Sequence, residues 1–108
     1  MPPPRPYQVR LHPGARDDLI RIAEGIAARA GRAAAERRLD AFATALRQLG
    51  LTPRKGSLRD EILPGLRAIP AAGRGVVAFV VDEAAGEVRV LAISYAGSDW
   101  LGPVRDRG

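Results

Sequence analysis

The fold is decided by Val76-Val77-Ala78-Phe79-Val80-Val81, the turn Asp82-Glu83-Ala84-Ala85-Gly86, and Val88-Arg89-Val90-Leu91-Ala92-Ile93-Ser94. Six consecutive apolar residues bounded by turn residues read as a central strand covered on both faces. The polar, Gly-closed turn brings the chain back, and the second run is the last strand. Upstream, Gly65-Leu66-Arg67-Ala68-Ile69-Pro70 reads as a strand and Ala71-Ala72-Gly73-Arg74-Gly75 as the turn into the central run. Three strands joined by short turns make an antiparallel meander.

Further upstream the period changes from two to 3.6. Ala15, Leu19, Ile22 and Ile26 fall on one face of a helix that His12-Pro13-Gly14 opens, with His12 as a cap or surface residue. Pro13 suits the first helical position, and Asp17 and Asp18 are expected in the first turn, complementing the macrodipole. Gly31 is a C′ cap. A second helix over residues 32–49 carries the seam Ala35, Leu39, Phe42, Leu46 and Leu49, and Gly50 is expected to close it. So short a connection forces an antiparallel helical hairpin. Before it, Tyr7, Val9 and Leu11 alternate with Gln8 and Arg10 as a short strand that must join the sheet. Leu51–Ser57 is a loop, and residues 58–64 are a short helical turn or a loop. The expected class is α+β, ordered β-α-α-β-β-β, with a curved antiparallel sheet and the helical hairpin on one face. Residues 1–6 read as a flexible Pro-rich leader, 7–100 as a single domain and 101–108 as a C-terminal tail. Nothing in the sequence is seen to cover the other sheet face, so function is expected there.

The chain has 108 residues, which allows one core and not two. Seventeen Lys and Arg against twelve Asp and Glu give a formal net charge of +5, and only Lys55 among the cations is a lysine. A small basic protein seeks an anionic partner: nucleic acid, an acidic segment or a membrane surface. Arginine favours bidentate contact with phosphate or carboxylate, although a GC-rich coding sequence also favours arginine. With no cysteine there is no disulfide framework, thiol nucleophile or thiolate metal site, and His12 is the single histidine, so neither a metal site nor a cofactor is expected. No apolar run approaches the roughly 20 residues of a membrane span, and no signal peptide is read, so the expected location is the cytoplasm.

Catalytic constellations are sparse. Gly73-Arg74-Gly75 is too short for a dinucleotide loop and opens no helix. Ser57, Ser94 and Ser98 have no visible base partner. The acidic pairs Asp17/Asp18, Asp60/Glu61 and Asp82/Glu83 are explained by capping and solubility. What remains is a cationic stretch, Arg54, Lys55, Arg59, Arg67 and Arg74, around the loop and the first strands of the meander. If these side chains converge they make a surface suited to phosphate or carboxylate; if not, they are solvated surface arginines. Leu66 and Ala68 are expected to point to the face opposite Arg67.

The segments Tyr7–Leu19, Leu63-Pro64-Gly65-Leu66-Arg67, the hairpin Val76–Val81 with Val88–Ile93, and Tyr95-Ala96-Gly97-Ser98-Asp99-Trp100 resemble, in this order and spacing, the RelE/ParE superfamily of bacterial type II toxin–antitoxin toxins. The resemblance covers residues 7–100 and implies a curved antiparallel sheet with a helical hairpin. It also implies one of two activities: RelE-like members cut mRNA on the ribosome without a metal, and ParE-like members are associated with poisoning DNA gyrase. Under the RelE-like alternative Arg67 and Arg74 could serve as phosphate clamps, and a ribonuclease would use Lys55, Arg67, Arg74 and Tyr95. The chain departs from that pattern, having Ala96, Gly97 and Ser98 after the last strand where an arginine stands, and no lysine in Ile62–Gly65. An unperturbed phenol ionises near 10, so Tyr95 is a poor base without a strong shift. The expectation is therefore a non-enzymatic gyrase inhibitor without catalytic residues, the ribosome and mRNA being the alternative target and a degenerate family member that only binds its partner a third reading. All three imply a cognate acidic antitoxin whose C-terminal segment wraps the toxin in a hetero-oligomer. Its expected contacts are Arg54, Arg59, Arg67, Arg74, Asp99 and Trp100.

Overall fold

The computed structural model describes residues 5–108; the first four residues of the expected leader lie outside the described ones. The elements are β1 (Gln8–Leu11), α1 (Pro13–Ala30), α2 (Arg32–Leu51), β2 (Ser57–Leu58), β3 (Arg67–Ala71), β4 (Gly75–Asp82), β5 (Glu87–Tyr95) and α3 (Leu101–Arg107). The sheet order is β1-β5-β4-β3-β2, which puts the apolar run of β4 in the middle. The meander β3-β4-β5 is antiparallel, β2 adds an antiparallel edge, and β1 pairs with β5 in parallel. The sheet is thus mixed rather than purely antiparallel. The parallel pair follows from the hairpin, which returns the chain to the far edge before the meander begins.

The helical hairpin covers one face. Ala15 from α1 and Phe42 and Leu49 from α2 meet Ile69, Ala71, Val77, Phe79, Val88, Val90 and Ile93 of the sheet. His12 caps α1, its Nδ1 accepting the Gly14 N–H at 2.9 Å, and Pro13 takes the first helical position. Asp17 and Asp18 fall in the second turn, not the first, because the helix already starts at Pro13, and Asp18 is buried. Gly50 does not close α2, which continues to Leu51 with Thr52 as its cap. Gly50 is instead a point of close approach: its C=O accepts the Tyr7 N–H, and a Cβ would stand 2.7 Å from the Tyr7 carbonyl oxygen.

The second face is not bare. Leu66, Ala78, Leu91, Ala92 and Val104 form a second buried cluster, with Ile62, Leu63, Val80 and Trp100 packed against it. The expected tail is helix α3, which lays Val104 on the sheet, while residues 59–66 fold over beside it. The continuous apolar character of β4 has this cause: Val77 and Phe79 serve one core, Ala78 and Val80 the other.

β5 serves both cores by a bulge. Ala78 pairs with Ala92 and Phe79 with Val90, so Leu91 is an extra residue. Val88 and Val90 therefore point to the hairpin side, Leu91 and Ala92 to the second side, and Ile93 returns to the hairpin side.

The β2 edge depends on Gly56, at φ +86°, where a Cβ would run into the Ala68 carbonyl and Ile69 Cγ2. Gly56→Ala is expected to lower stability by at least about 1–2 kcal/mol from the left-handed backbone alone. Chemical denaturation measures it; an unchanged midpoint would show that β2 is not held against β3.

Candidate functional site

The expected site residues fall into three groups. At one end of the meander, Arg54 donates to Glu83 Oε1 at 2.6 Å, and Glu83 Oε2 accepts the Tyr7 hydroxyl at 2.5 Å. Arg67 joins them by donating to the Arg54 carbonyl at 2.8 Å, and Lys55 is exposed on the same loop. Leu66 and Ala68 do point away from Arg67, Leu66 into the second core. Arg67 sits opposite Phe79 on β4 and shares its hairpin side, so it does not lie on the face expected to be uncovered.

At the other end of the meander lie Arg74 and Tyr95. Arg74 is exposed in the β3–β4 turn. Tyr95 meets Phe42 edge-on, with ring centroids 6.3 Å apart, and Arg38 lies 5.8 Å above its ring. Arg38 is held there by the Ala72 carbonyl at 2.9 Å. Tyr95 pairs with Gly75 and Arg67 with Phe79, four residues apart on β4, so the two groups are separated by about 13 Å of strand. Lys55, Arg67, Arg74 and Tyr95 therefore do not converge.

The third group lies toward the second face. Asp99 Oδ1 accepts the Leu101 N–H at 3.0 Å, a helix-opening contact, and Trp100 packs beside the second core. Arg59, exposed on the segment folded over that face, is linked to Leu66 through its backbone.

The Tyr7–Glu83–Arg54 chain has a titration consequence. The hydrogen bond to the Glu83 carboxylate, aided by desolvation and the charge of Glu83, raises the Tyr7 phenol above its ordinary value near 10. The folded state thus holds this proton more tightly than the unfolded chain; the stabilisation is present below pH 10 and fades as pH rises through the raised value. Absorbance titration at the phenolate band is expected to show one tyrosine ionising late, and Glu83→Gln to bring it back toward 10. A Tyr7 that titrates normally in both proteins would show the contact is not held in solution.

Reading the sequence alone misses a different constellation. Asp18, on the hairpin, accepts from Arg21 at 2.6 Å, from Arg107 Nη1 at 2.8 Å and from the Ile93 N–H at 3.0 Å. Arg107 also donates to the Leu91 carbonyl at 2.9 Å. β1 ends opposite Val90, so beyond it the outer edge of β5 has no strand beside it among the described residues. Asp18 and Arg107 supply the acceptor and donor that a strand would have supplied, and they tie α1, β5 and α3 together. Among the described residues no cluster of three or more His, Asp or Glu is placed to hold a metal ion, and no helix is long and apolar enough to cross a membrane.

On the second face, beside α3, the surface opens into a groove of about 630 Å³. Leu11, Leu63, Val80 and Leu91 line it, with Arg10 and Arg89 at the rim.

Two solved structures share this fold. One, described as a chromosomal ParDE toxin–antitoxin system from P. aeruginosa, matches with a TM-score of 0.71 at 19% identity, over 82% of this chain and 95% of that one. The other, the toxin–antitoxin complex RelBE2 from Mycobacterium tuberculosis, matches with a TM-score of 0.58 at 23% identity, over 87% of this chain and 95% of that one. A comparison with curated proteins gave no match. The model of one family, the ParE toxin of the type II toxin–antitoxin system parDE, matches residues 9–100, from β1 through Trp100. With the hairpin, the meander and the closing segment all inside that match, the chain belongs to the ParE toxin family of the RelE/ParE superfamily.

Proposed function

We propose that this toxin arrests growth by binding DNA gyrase rather than by cutting RNA, and that a cognate antitoxin neutralises it in the cytoplasm. The observation that carries the choice of target is the separation of the ribonuclease candidates: Lys55 and Arg67 at one end of the meander, Arg74 and Tyr95 at the other. Metal-free RNA cleavage needs a base, a phosphate clamp and an acid within a few ångströms of one phosphate. Tyr95, packed against Phe42 and under Arg38, is spent on the core. The match to the ParE model over 92 residues, 9 through 100, supports the same target. That the ParDE and RelBE2 neighbours are toxin–antitoxin systems supports the antitoxin. Arg54, Arg59, Arg67, Arg74, Asp99 and Trp100 remain the residues offered for partner contact.

The test is a supercoiling assay with purified gyrase. Inhibition or accumulation of cleaved complex at micromolar toxin is expected, with translating ribosomes leaving mRNA intact. Codon-positioned mRNA cuts that disappear in Arg67→Ala would overturn the proposal.

A further inference from the structure

The outer edge of β5 past β1 is a sheet edge closed without a strand. Among the described residues its backbone groups are met one by one. The His12 N–H donates to the Val90 carbonyl at 2.9 Å, and Arg107 donates to the Leu91 carbonyl at 2.9 Å. Asp18 accepts the Ile93 N–H at 3.0 Å. The Ser98 hydroxyl accepts the Tyr95 N–H at 3.1 Å, and the Ser98 N–H donates to the Tyr95 carbonyl at 3.2 Å. At its centre the closure rests on two side chains carried by helices, Asp18 on α1 and Arg107 on α3.

The edge beneath them is built to pair. Val90-Leu91-Ala92-Ile93-Ser94-Tyr95-Ala96-Gly97-Ser98 holds no charge and no proline, and Arg89 and Asp99 are the first charges on either side. An uncharged β-forming stretch at a sheet edge pairs with its own copies, and inward-pointing charges are one device that prevents it. The opposite edge of the sheet is blunted in another way: β2 has two residues, and Pro70 on β3 has no N–H to offer. The cover over β5 is lightly anchored. Helix α3 has seven residues, too few to persist alone, and buries one side chain, Val104; its polar tie is the Arg107–Asp18 pair.

We infer that the outer edge of β5 from Leu91 to Tyr95 is a latent pairing surface for a second copy of this chain, and that Asp18 and Arg107 are the plug that keeps the chain single. An antiparallel pairing of this edge with itself about a two-fold axis needs no complementary charge and closes after two copies. A strongly charged partner strand gains nothing from an edge without charges. Releasing α3 also uncovers Leu66, Ala78, Leu91 and Ala92, so the opened form carries apolar surface beside the edge. The net charge of +5 on each copy opposes their approach, so salt favours this dimer, the reverse of a contact made by opposite charges. The inference does not depend on which target the toxin acts on.

The test is the self-association of full-length variants, followed by sedimentation velocity from micromolar to submillimolar concentration. Wild type is expected to stay monomeric across that range. Arg107→Met removes the polar tie of α3 and leaves Arg21 on Asp18. It is expected to dimerise with an association constant at least about tenfold above wild type, and more tightly as salt rises. Arg107→Lys keeps a cation for Asp18 without the guanidinium fork, and is expected to lie between the two. Arg32→Gln, which breaks an exposed ion pair in α2, is expected to stay monomeric. Amide exchange places the contact: Ile93 exchanges faster in dilute Arg107→Met than in wild type, and regains protection as concentration rises. A folded Arg107→Met that stays monomeric, equal association in Arg32→Gln, association weakened by salt, growth past the dimer, or concentration-dependent protection outside Leu91–Tyr95 overturns the inference. Loss of the fold in both Arg107 variants, read by circular dichroism, also overturns it, since the pair then holds the fold together rather than closing an edge.

Discussion

Replacing Asp18 with alanine is expected to destabilise the protein by about 3–5 kcal/mol, the range for breaking a buried ion pair from one side. The Asp18 side chain is 9% exposed on α1 and neutralises Arg107, whose side chain is only 16% exposed. Without Asp18, the Ile93 N–H loses its acceptor, and Arg107 keeps a charge with one carbonyl for company. Domains of this size hold about 5–15 kcal/mol in total, so a large share of the folding free energy rests on one side chain. Asp18→Asn is expected to recover part of the loss, because an amide oxygen still accepts from Ile93 while Arg107 stays unneutralised. Arg107→Met is expected to be milder than Asp18→Ala, since Arg21 still faces the carboxylate at 2.6 Å. The double variant Asp18→Ala/Arg107→Met should be less destabilised than the sum of the two singles, because the stranded cation is gone. Urea unfolding followed by circular dichroism reads each value. A loss below about 1 kcal/mol for Asp18→Ala would mean that the pair behaves like a solvated surface bridge.

The same residue shows where reading the sequence stops. Asp17-Asp18 looks like a helix-start pair, and for Asp17, exposed in α1, that surface reading is harmless. Asp18 lies three residues after Ala15 and four before Ile22, on the apolar stripe itself, and an acid on a buried stripe signals a distant cation. Its partner Arg107 is 89 residues away, and nothing local in the sequence names it. The helical hairpin and the meander were legible because their periods of 3.6 and two each extend over many residues. The parallel pairing of β1 was not, because four residues carry no register information beyond their own alternation. Helix α3 left a weaker trace: Asp99 as an opening acceptor, then Trp100 and Val104 four apart. The uninterrupted apolar run of β4 already demanded cover on both faces, and that cover is supplied by residues that look like a polar tail. The bulge at Leu91 hid the rest, since one inserted residue switches the face of everything after it and blurs the alternation of β5.

The candidate site was legible as a set of residue types but not as an arrangement. The cationic residues from Arg54 to Arg74 are close in sequence, yet β3 carries them to opposite ends of a sheet. The Arg10–Arg89 pair is invisible locally, its members lying 79 positions apart and adjacent only through the parallel register of β1 and β5.

Phe42→Ala is expected to cost about 3–5 kcal/mol, the range for emptying a fully buried aromatic position. At about 4 °C per kcal/mol, that lowers the thermal midpoint by about 12–20 °C. The ring is fully buried in the α2 seam and sits where it does because residue 75 has no side chain: a Cβ on Gly75 would stand 2.5 Å from Phe42 Cζ. Phe42 also braces Tyr95 edge-on, so its loss frees the Arg38–Tyr95 stack at the end of β5. The cavity has no ready filler, because the facing residues Val77 and Phe79 are themselves fully buried in strand positions fixed by the ladder. Gly75→Ala acts on the same contact from the other side and is expected to cost about 1–3 kcal/mol by overpacking. The double variant Phe42→Leu/Gly75→Ala is the sharper measurement, since a shorter side chain gives the new methyl room and the two changes should be less than additive by about 0.5–3 kcal/mol. Strict additivity would mean that the new methyl is opposed by the Ala71 carbonyl oxygen, 2.7 Å from a Cβ at residue 75, and not by the ring.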